Sequence, residues 1–175
     1  MKYFLITALS AMLLTACVAS KKIGKLDYIS VSDTETKVLK GIISRAVLEG
    51  DPAFAWFKGN MQYGTADAYA VDMFKQKGSK CTLLVFAGTW CHDSQNLLPK
   101  LYRLFDKSGY PENKVTLVVV DRKKTATNNL PQKWKLESVP TFIVVQNGKE
   151  IGRVVEYGKT GNMERELAEI VATLN

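Results

Sequence analysis

The segment CTLLVFAGTWCHDS, residues 81–94, decides the fold of this chain. Its apolar run from Leu83 to Ala87 predicts a buried strand, and Gly88-Thr89 then turns the chain into an amphipathic segment that opens at Cys91. A cysteine in the first turn of a helix lies among unpaired backbone N–H groups, at the positive end of the helix dipole, which favours thiolate over thiol. The segment therefore predicts a reactive thiol. The alternative is a cysteine that serves as a small buried hydrophobic side chain.

An alternation of helices and strands follows this segment. Pro99 falls inside the first predicted helix and should kink it, while Asn147-Gly148 between two apolar runs is a strong hairpin signal. The predicted elements in chain order are a strand at 82–87, a helix at 92–107, a strand at 115–120, a short helix at 130–136, two hairpin strands on either side of 147–148, and a helix from 163. Because a helix links the first two strands, they are predicted to be parallel, in an α/β domain over 79–175 with the order β-α-β-α-β-β-α.

The N-terminal residues predict export and anchoring. An apolar run from Tyr3 to Leu14 follows a lysine and is too short to remain across a bilayer. It ends in Leu14-Thr15-Ala16-Cys17, which resembles the lipobox of bacterial lipoproteins. We therefore expect a signal peptide over 1–16, lipidation of Cys17 and a tether over 17–31, with a plain signal peptide as the alternative. Either way the mature chain lies outside the cytoplasm.

The predicted anchor also suggests a location, the bacterial cell envelope on its periplasmic side. The residues after Cys17 are Val18-Ala19-Ser20, without an aspartate at the second position. By analogy with lipoprotein sorting in enteric bacteria, this favours the outer membrane over the inner one.

Residues 32–78 predict a small helical extension between the tether and the α/β domain. Ser32-x-x-Glu35 resembles a capping box, and apolar residues from Val38 to Val47 recur at helical spacing. Asp51-Pro52 is typical of a second helix start, and a third helix is predicted over 65–77. The aromatic residues of this extension are predicted to pack against the following domain rather than to bind a ligand.

The charge pattern gives no sign of nucleic-acid binding. The formal net charge is +7, but the lysines are spread along the whole chain, as is typical of solvated surfaces. The densest basic run, Arg122-Lys123-Lys124, is interpreted as a solvated loop. We therefore predict no nucleic-acid partner.

The cysteines predict free thiols. If Cys17 is acylated, only Cys81 and Cys91 remain. They lie at opposite ends of a predicted strand, and roughly nine extended residues separate their Cα atoms by far more than the roughly 7 Å that a disulfide allows. No internal disulfide is expected, and Cys81 is interpreted as a strand residue that is at least half-buried.

From residue 80 onward the chain resembles the thioredoxin superfamily. The matching motifs are Trp90-Cys91-x-x-Ser94, Pro99, Asp121 at the end of the second strand, Val139-Pro140-Thr141, and Gln146-Asn147-Gly148-Lys149. The resemblance implies the thioredoxin fold, with a mixed four-stranded core sheet and a cis peptide before Pro140. Together with the N-terminal features, it also makes the chain similar to thioredoxin-like bacterial lipoproteins.

The chain departs from the superfamily pattern at the positions that complete the redox cycle. Members that reduce or form disulfides usually carry Cys-x-x-Cys, whose second thiol releases the mixed disulfide, but Ser94 stands here instead. The buried Asp and Lys that assist proton transfer in such members correspond to Val85 and Leu117. The chain therefore looks like a monothiol member of the superfamily.

The resulting mechanism is attack by the Cys91 thiolate on a disulfide of an envelope protein. Release would come from the substrate's own second thiol, or from an external thiol or a reductase partner. No cofactor is predicted, and the membrane is contacted through the lipid anchor. The expected site residues are Cys91, with Ser94 and His92 as stabilisers of the thiolate, and Trp90, Val139, Pro140 and Thr141 as the surface that binds an extended substrate strand.

Other classes of function remain open or are disfavoured. A non-redox peptide-binding or scaffold module would use the same groove with Cys91 idle. A peroxidase is disfavoured because residues 84–91 lack the Pro-x-x-x-Thr-x-x-Cys pattern of the peroxide-reducing branch. A metal site is not predicted, because His92 is the only histidine and no second soft ligand stands beside Cys91.

Overall fold

Six strands form one mixed sheet in this protein. The structure, a computed structural model, describes residues 26–31 and 33–175. The strands are β1 Asp27–Val31, β2 Val38–Ile43, β3 Thr82–Ala87, β4 Val115–Val119, β5 Thr141–Gln146 and β6 Lys149–Val155. The helices are α1 Arg45–Gly50, α2 Ala55–Met61, α3 Ala68–Lys77, α4 His92–Ser108, α5 Leu130–Lys133 and α6 Met163–Ala172, with single 3-10 turns at Pro52–Phe54, Gly78–Lys80 and Glu112–Lys114.

The C-terminal part of the sheet has the predicted topology. Strand order across the sheet is β1-β2-β4-β3-β5-β6. β3 and β4 are parallel, whereas β3–β5 and β5–β6 are antiparallel. Asn147 and Gly148 turn the chain between β5 and β6 with positive φ angles of 53° and 76°, as a tight hairpin requires. The predicted β-α-β-α-β-β-α order and the four-stranded mixed core sheet are therefore confirmed.

The buried segment β3 is covered on both faces, which explains its continuous apolar run. Leu83, Val85 and Ala87 belong to the core between the sheet and helices α2, α3, α4 and α6. Leu84 and Phe86 belong to a smaller cluster on the opposite face, with side chains from the 126–136 region. Since successive strand residues point to opposite faces, a strand with two covered faces has no polar alternation.

The N-terminal extension differs from the prediction. β1 lies within residues 17–31, where a tether was expected, and β2 replaces the helix expected from Val38 to Val47. The two strands form an antiparallel hairpin, and β2 pairs antiparallel with β4, so the hairpin widens the core sheet. A short run of branched apolar residues fits helical and strand spacing alike. Gly41 has a φ of 129°, outside the helical range, and a Cβ there would collide with Asp27 O of β1.

The later part of the extension is helical as predicted. Asp51 accepts a hydrogen bond from Ala53 N at 3.0 Å, and Pro52 follows it at the start of the 3-10 turn that leads into α2. Helix α3 begins at Ala68, where Asp67 accepts from Ala70 N at 2.9 Å. Phe54 and Phe57 are buried in the main core, and Trp56 and Tyr69 pack against it, as predicted. Tyr63, for which the same packing was predicted, is instead 73 % exposed.

Several predictions concern residues outside the described ranges. These are the signal peptide over 1–16, the lipidated Cys17 and the Ser32 cap. Within the described ranges, every helix is too short or too polar to cross a membrane.

Candidate active site

Cys91 lies at the junction between β3 and α4. It is the N-cap residue of the 17-residue helix α4, one position before the predicted first turn, and its side chain is half-buried. Its backbone N–H donates to Gly88 O at 3.0 Å, and its carbonyl accepts from Gln95 N at 2.9 Å. The chain turn that presents the thiol is therefore held on both sides by backbone hydrogen bonds.

The thiol faces the segment that precedes β5. Cys91 Sγ donates a hydrogen bond to Val139 O at 3.3 Å, and the Val139–Pro140 peptide bond is cis, as the resemblance implied. Val139 is 5 % exposed, and Cys91 also packs against the apolar cluster to which Val139 belongs. Thr141 is also buried, and its hydroxyl donates to Ser138 O at 2.7 Å. The backbone around Pro140 thus lies beside the thiol, whereas the Thr141 side chain holds the loop from within.

Ser94 does not occupy the place predicted for a stabiliser of the thiolate. Its side chain is fully buried, and its Oγ accepts a hydrogen bond from Gly88 N at 3.1 Å. Within the described part of the chain, the hydrogen-bond partner of Cys91 Sγ is Val139 O. Ser94 therefore stabilises the turn that carries Cys91, because its hydroxyl oxygen accepts the hydrogen bond of a buried backbone N–H group.

Trp90 is held on three sides beside the thiol. Its Nε1 donates to Val120 O at 2.9 Å, and the guanidinium carbon of Arg122 lies 5.1 Å from its ring centroid. The indole also covers Gly88, where an added Cβ would lie 2.8 Å from Trp90 Cε2. The predicted apolar contact beside Cys91 is therefore a rigid one.

The N-terminal extension reaches the active site directly. Thr89, 1 % exposed, accepts a hydrogen bond from Leu39 N at 3.1 Å and donates to Lys37 O at 3.0 Å. Its carbonyl accepts from Gln95 Nε2 at 2.9 Å. We call residues 33–37 the wall segment. This segment is fastened to the turn that presents Cys91.

Asp121 provides a second contact between the N-terminal extension and the α/β domain, through Lys40 of β2. Its carboxylate accepts from Thr125 N at 2.9 Å, Thr125 Oγ1 at 2.7 Å and Lys40 Nζ at 3.0 Å. Burial alone would raise its pKa, but these hydrogen bonds and the Lys40 charge outweigh burial and lower the pKa to about 2. Asp121 therefore stays ionised and joins β2 to the end of β4.

Arg122 connects the wall segment to Trp90. Its Nε donates to Asp33 Oδ2 at 2.9 Å, and its Nη2 lies 3.6 Å from Glu35 Oε2. The hydrogen bond from Arg122 lowers the pKa of Asp33. Arg122 lies in an exposed loop, as predicted, but its guanidinium also contacts the Asp33 carboxylate and the Trp90 indole, which the sequence did not indicate.

These groups surround an open pocket beside the sulfur. The pocket has a volume of about 610 Å³ and is lined by Glu35 and Thr36 of the wall segment, by Trp90, Cys91 and Arg122, and by His92, Asp93 and Gln95 of α4. His92 is solvent-exposed, and Asp93 lies in the first turn of α4. We call this space the thiol pocket.

Apolar residues occupy the two positions where related proteins carry an Asp and a Lys for proton transfer, and these two residues are neighbours in the sheet. Val85 and Leu117 are Cα partners on the parallel strands β3 and β4, and both are buried.

Cys81, the other described thiol, is 3 % exposed at the start of β3, and burial raises its pKa. Both described cysteines are free. Over residues 26–31 and 33–175, no group of three or more His, Cys, Asp or Glu side chains could hold a metal ion.

Sequence reasoning missed Thr89, Gln95, Arg122 and the wall segment as parts of the site. A usable signal was present for Arg122, because it follows β4, and the carboxyl ends of the parallel strands β3 and β4 lie side by side. No comparable signal existed for the wall segment, since its place depends on the pairing of β2 with β4.

Comparisons with known proteins agree on one family. The family model described as Thioredoxin matches residues 60–172. The chain is 34 % identical over 88 residues to a thioredoxin from Echinococcus granulosus, a match that covers 50 % of this chain and 77 % of that relative. It is 29 % identical over 107 residues to the TPR repeat-containing thioredoxin TDX from Arabidopsis thaliana, covering 61 % of this chain. That match spans 26 % of the Arabidopsis protein.

One solved structure supports the fold alone. The crystal structure of a protein of unknown function from Pseudomonas aeruginosa is similar with a TM-score of 0.50 at 19 % identity. The likeness covers 74 % of this chain and 89 % of that one.

Proposed function

The chain belongs to the thioredoxin family, and on that premise we propose that it is a monothiol thiol-disulfide exchange protein of the bacterial cell envelope. Cys91 is its nucleophile. The observation that carries the proposal is the position of the sulfur, half-buried at the N-terminus of α4 and 3.3 Å from Val139 O.

The exchange begins when the Cys91 thiolate attacks one sulfur of a partner's disulfide. A bond forms between Cys91 Sγ and that sulfur, the partner's S–S bond breaks, and the leaving sulfur departs as a thiolate that takes a proton from solvent. The attacking sulfur lies at the N-terminus of α4, and the positive end of a helix dipole attracts negative charge. The product is a mixed disulfide between Cys91 and the partner.

The partner strand is expected to bind beside Pro140. Val139 O already accepts a hydrogen bond from the resting thiol, so it stands where a substrate backbone N–H would dock once the sulfur is engaged. Backbone pairing of this kind recognises an extended strand and not a particular side chain. Trp90 supplies a rigid apolar contact next to the bond that is exchanged.

Among the described residues no second thiol is placed to release the partner. The residue three positions after Cys91 is a buried serine hydrogen-bonded to Gly88 N, and Cys81 is buried at the far end of β3. The resolving sulfur is therefore the substrate's own second thiol, which gives isomerisation, or an external thiol, which gives net reduction.

The location and anchoring form part of the same proposal. The lipobox-like Leu14-Thr15-Ala16-Cys17 supports attachment to the membrane through Cys17, on the periplasmic side, with disulfide- or thiol-containing envelope proteins as partners. In that compartment disulfides persist, so substrates for Cys91 are available.

Trapping in cells tests this function. With no resolving thiol near Cys91 in the described part of the chain, wild-type protein should accumulate disulfide-linked adducts with envelope proteins after acid quenching, visible on non-reducing gels and absent from Cys91→Ser. Cys81→Ser is the matched control and should retain the adducts, because that thiol is buried. Absence of adducts in wild type, with retained binding of extended peptides, would favour the non-redox module.

A further inference from the structure

The thiol pocket has the size of a small-ligand site. Its volume of about 610 Å³ falls within the roughly 300–1,000 Å³ that small-molecule pockets occupy. The wall segment forms one side of this space, and Cys91 lies on the other. A ligand held there has direct access to the sulfur.

The pocket offers charges of both signs. Arg122 uses Nε and Nη2 to bind Asp33, and within the described residues its Nη1 has no hydrogen-bond partner. Its side chain is 47 % exposed, so Nη1 can donate to a ligand carboxylate in addition to the contacts of the guanidinium with Asp33 and Glu35. Asp93 in the first turn of α4 and Glu35 in the wall segment supply negative charges, and Gln95 and Thr36 supply neutral polar groups.

Resting on the proposed function, we propose that the thiol pocket binds a low-molecular-mass thiol that carries both a carboxylate and an ammonium group, and that this thiol resolves the Cys91 mixed disulfide. The carboxylate binds Arg122, and the ammonium group binds Asp93 and Glu35. The proposal explains how a chain with serine at position 94 completes a reductive cycle.

The proposed cycle balances in two further exchanges. The bound thiolate attacks Cys91 Sγ, forms a disulfide with it and expels the partner's thiolate, so that both partner sulfurs are now reduced. The thiolate of a second small-thiol molecule then attacks the sulfur of the first one. The bond between that sulfur and Cys91 Sγ breaks, which releases the Cys91 thiolate and a small disulfide. The sum is one partner disulfide reduced and two small thiols oxidised.

The test starts from a chemically prepared mixed disulfide. The mature lipidated protein, in which the Cys17 sulfur is not a free thiol, is purified in detergent and treated with methyl methanethiosulfonate, which caps Cys91 with a small methyl disulfide and leaves the pocket open. Loss of the cap is followed by mass spectrometry with three thiols. The probes are L-cysteine, cysteamine, which lacks the carboxylate, and 3-mercaptopropionate, which lacks the ammonium group. Each rate is divided by the rate at which the same thiol reduces N-acetylcysteine methyl disulfide, a model compound without a pocket. This normalisation removes differences in the intrinsic reactivity of the three thiols.

We expect a saturating dependence on L-cysteine and a normalised rate about tenfold above those of both analogues, as expected for a charge pair in an open site. Arg122→Gln should remove the advantage over cysteamine, and Arg122→Lys should retain part of it. Arg165→Gln is the matched control, because Arg165 makes the same two kinds of contact as Arg122. Its guanidinium carbon lies 4.1 Å from the centroid of the Tyr69 ring, and its Nη1 lies 3.7 Å from Asp67 Oδ1. It should leave all three rates unchanged.

Equal normalised rates for the three thiols, with linear concentration dependence, would overturn the proposed pocket. Because the cap is introduced chemically, this result does not depend on whether Cys91 attacks protein disulfides. Failure of trapping in cells depleted of low-molecular-mass thiols, together with a saturable L-cysteine reaction of the capped protein, would reject the proposed function alone. Circular dichroism of each variant confirms that a loss of rate does not come from unfolding.

Discussion

Cys91 and Val139, 48 residues apart in the chain, are joined by a hydrogen bond from the thiol to the carbonyl oxygen at 3.3 Å. The contact brings the start of α4 against the loop before β5, two segments that share no local sequence signal. It leaves the sulfur in contact with one backbone acceptor and with solvent.

The two described thiols should differ sharply in reactivity. Cys91 is half-exposed at a helix N-terminus, whereas Cys81 is 3 % exposed with a pKa raised by burial. We expect iodoacetamide at neutral pH to modify Cys91 on the order of 100-fold faster than Cys81. Peptide mass spectrometry after timed quenching measures both rates in one sample. Comparable rates would mean that the strand β3 opens locally.

Ser94→Ala should affect stability and not thiol chemistry. The substitution leaves the buried Gly88 N–H without its acceptor, which costs about 1–3 kcal/mol in the free energy of unfolding. The alkylation rate of Cys91 should change less than about twofold, since Ser94 bonds the backbone and not the sulfur. Urea unfolding and alkylation on the same preparation separate the two effects. A large loss of alkylation rate at unchanged stability would restore the thiolate-stabilising role of Ser94.

Thr89→Val should loosen the N-terminal extension. It removes both hydrogen bonds of Thr89 Oγ1 and leaves Leu39 N and Lys37 O unpaired, at a cost of about 2–4 kcal/mol. Thr82→Val is the matched control, because Thr82 is exposed and its hydroxyl makes a single long contact of 3.5 Å with Val145 O. Hydrogen exchange should show faster exchange in β1 and β2 for Thr89→Val only.

Asp121 should stabilise the fold above about pH 4. Its folded pKa is about 2 against an ordinary value of 3.8, so its contribution is complete above 3.8 and is lost as the pH falls toward 2. Asp121→Asn should therefore reduce stability at pH 7 and converge on wild type near pH 2. Urea unfolding from pH 2 to pH 7 gives the difference directly. If the free energies of unfolding of wild type and Asp121→Asn differ by the same amount at every pH, the loss comes from altered packing or hydrogen bonding and not from the removed charge.

Glu164 should act in the opposite direction. Burial raises its pKa above the ordinary 4.5, with Arg103 only partly opposing, and its Oε1 is buried without a hydrogen-bond partner. For a carboxyl group with a raised folded pKa, stability is greatest below 4.5 and falls as the pH rises. Glu164→Gln should thus be more stable than wild type at pH 7, with the advantage vanishing below pH 4.5.

The α/β domain and the reactive position were predictable because local signals agree with the fold. Asn147-Gly148 permits one tight hairpin, the apolar run in β3 is explained by two covered faces, and Cys91 stands where strand gives way to helix. The extension was predicted less well. Its residues from Val38 to Ile43 suit a helix or a strand, and pairing with β4, more than 70 positions later, decides between them.

The site itself was only partly predictable for the same reason. Ser94 was placed near the thiol by helical spacing, but its hydroxyl turns to Gly88 N, a choice made by the geometry of the turn. The contacts of Arg122 with Asp33 and Trp90 link segments that are distant in sequence. Such contacts follow from topology, which hydropathy patterns do not encode.

The pairing of β2 with β4 also covers one border of the core sheet and moves the free edge outward to β1. Without the hairpin, β4 would present a row of free N–H and C=O groups to other molecules, the usual starting point for intermolecular strand association. A shortened chain lacking the first 43 residues would thus lose its pocket wall and become prone to self-assembly. Activity measured on such a truncation would mix two defects, so single substitutions such as Thr89→Val are the sounder way to dissect this protein.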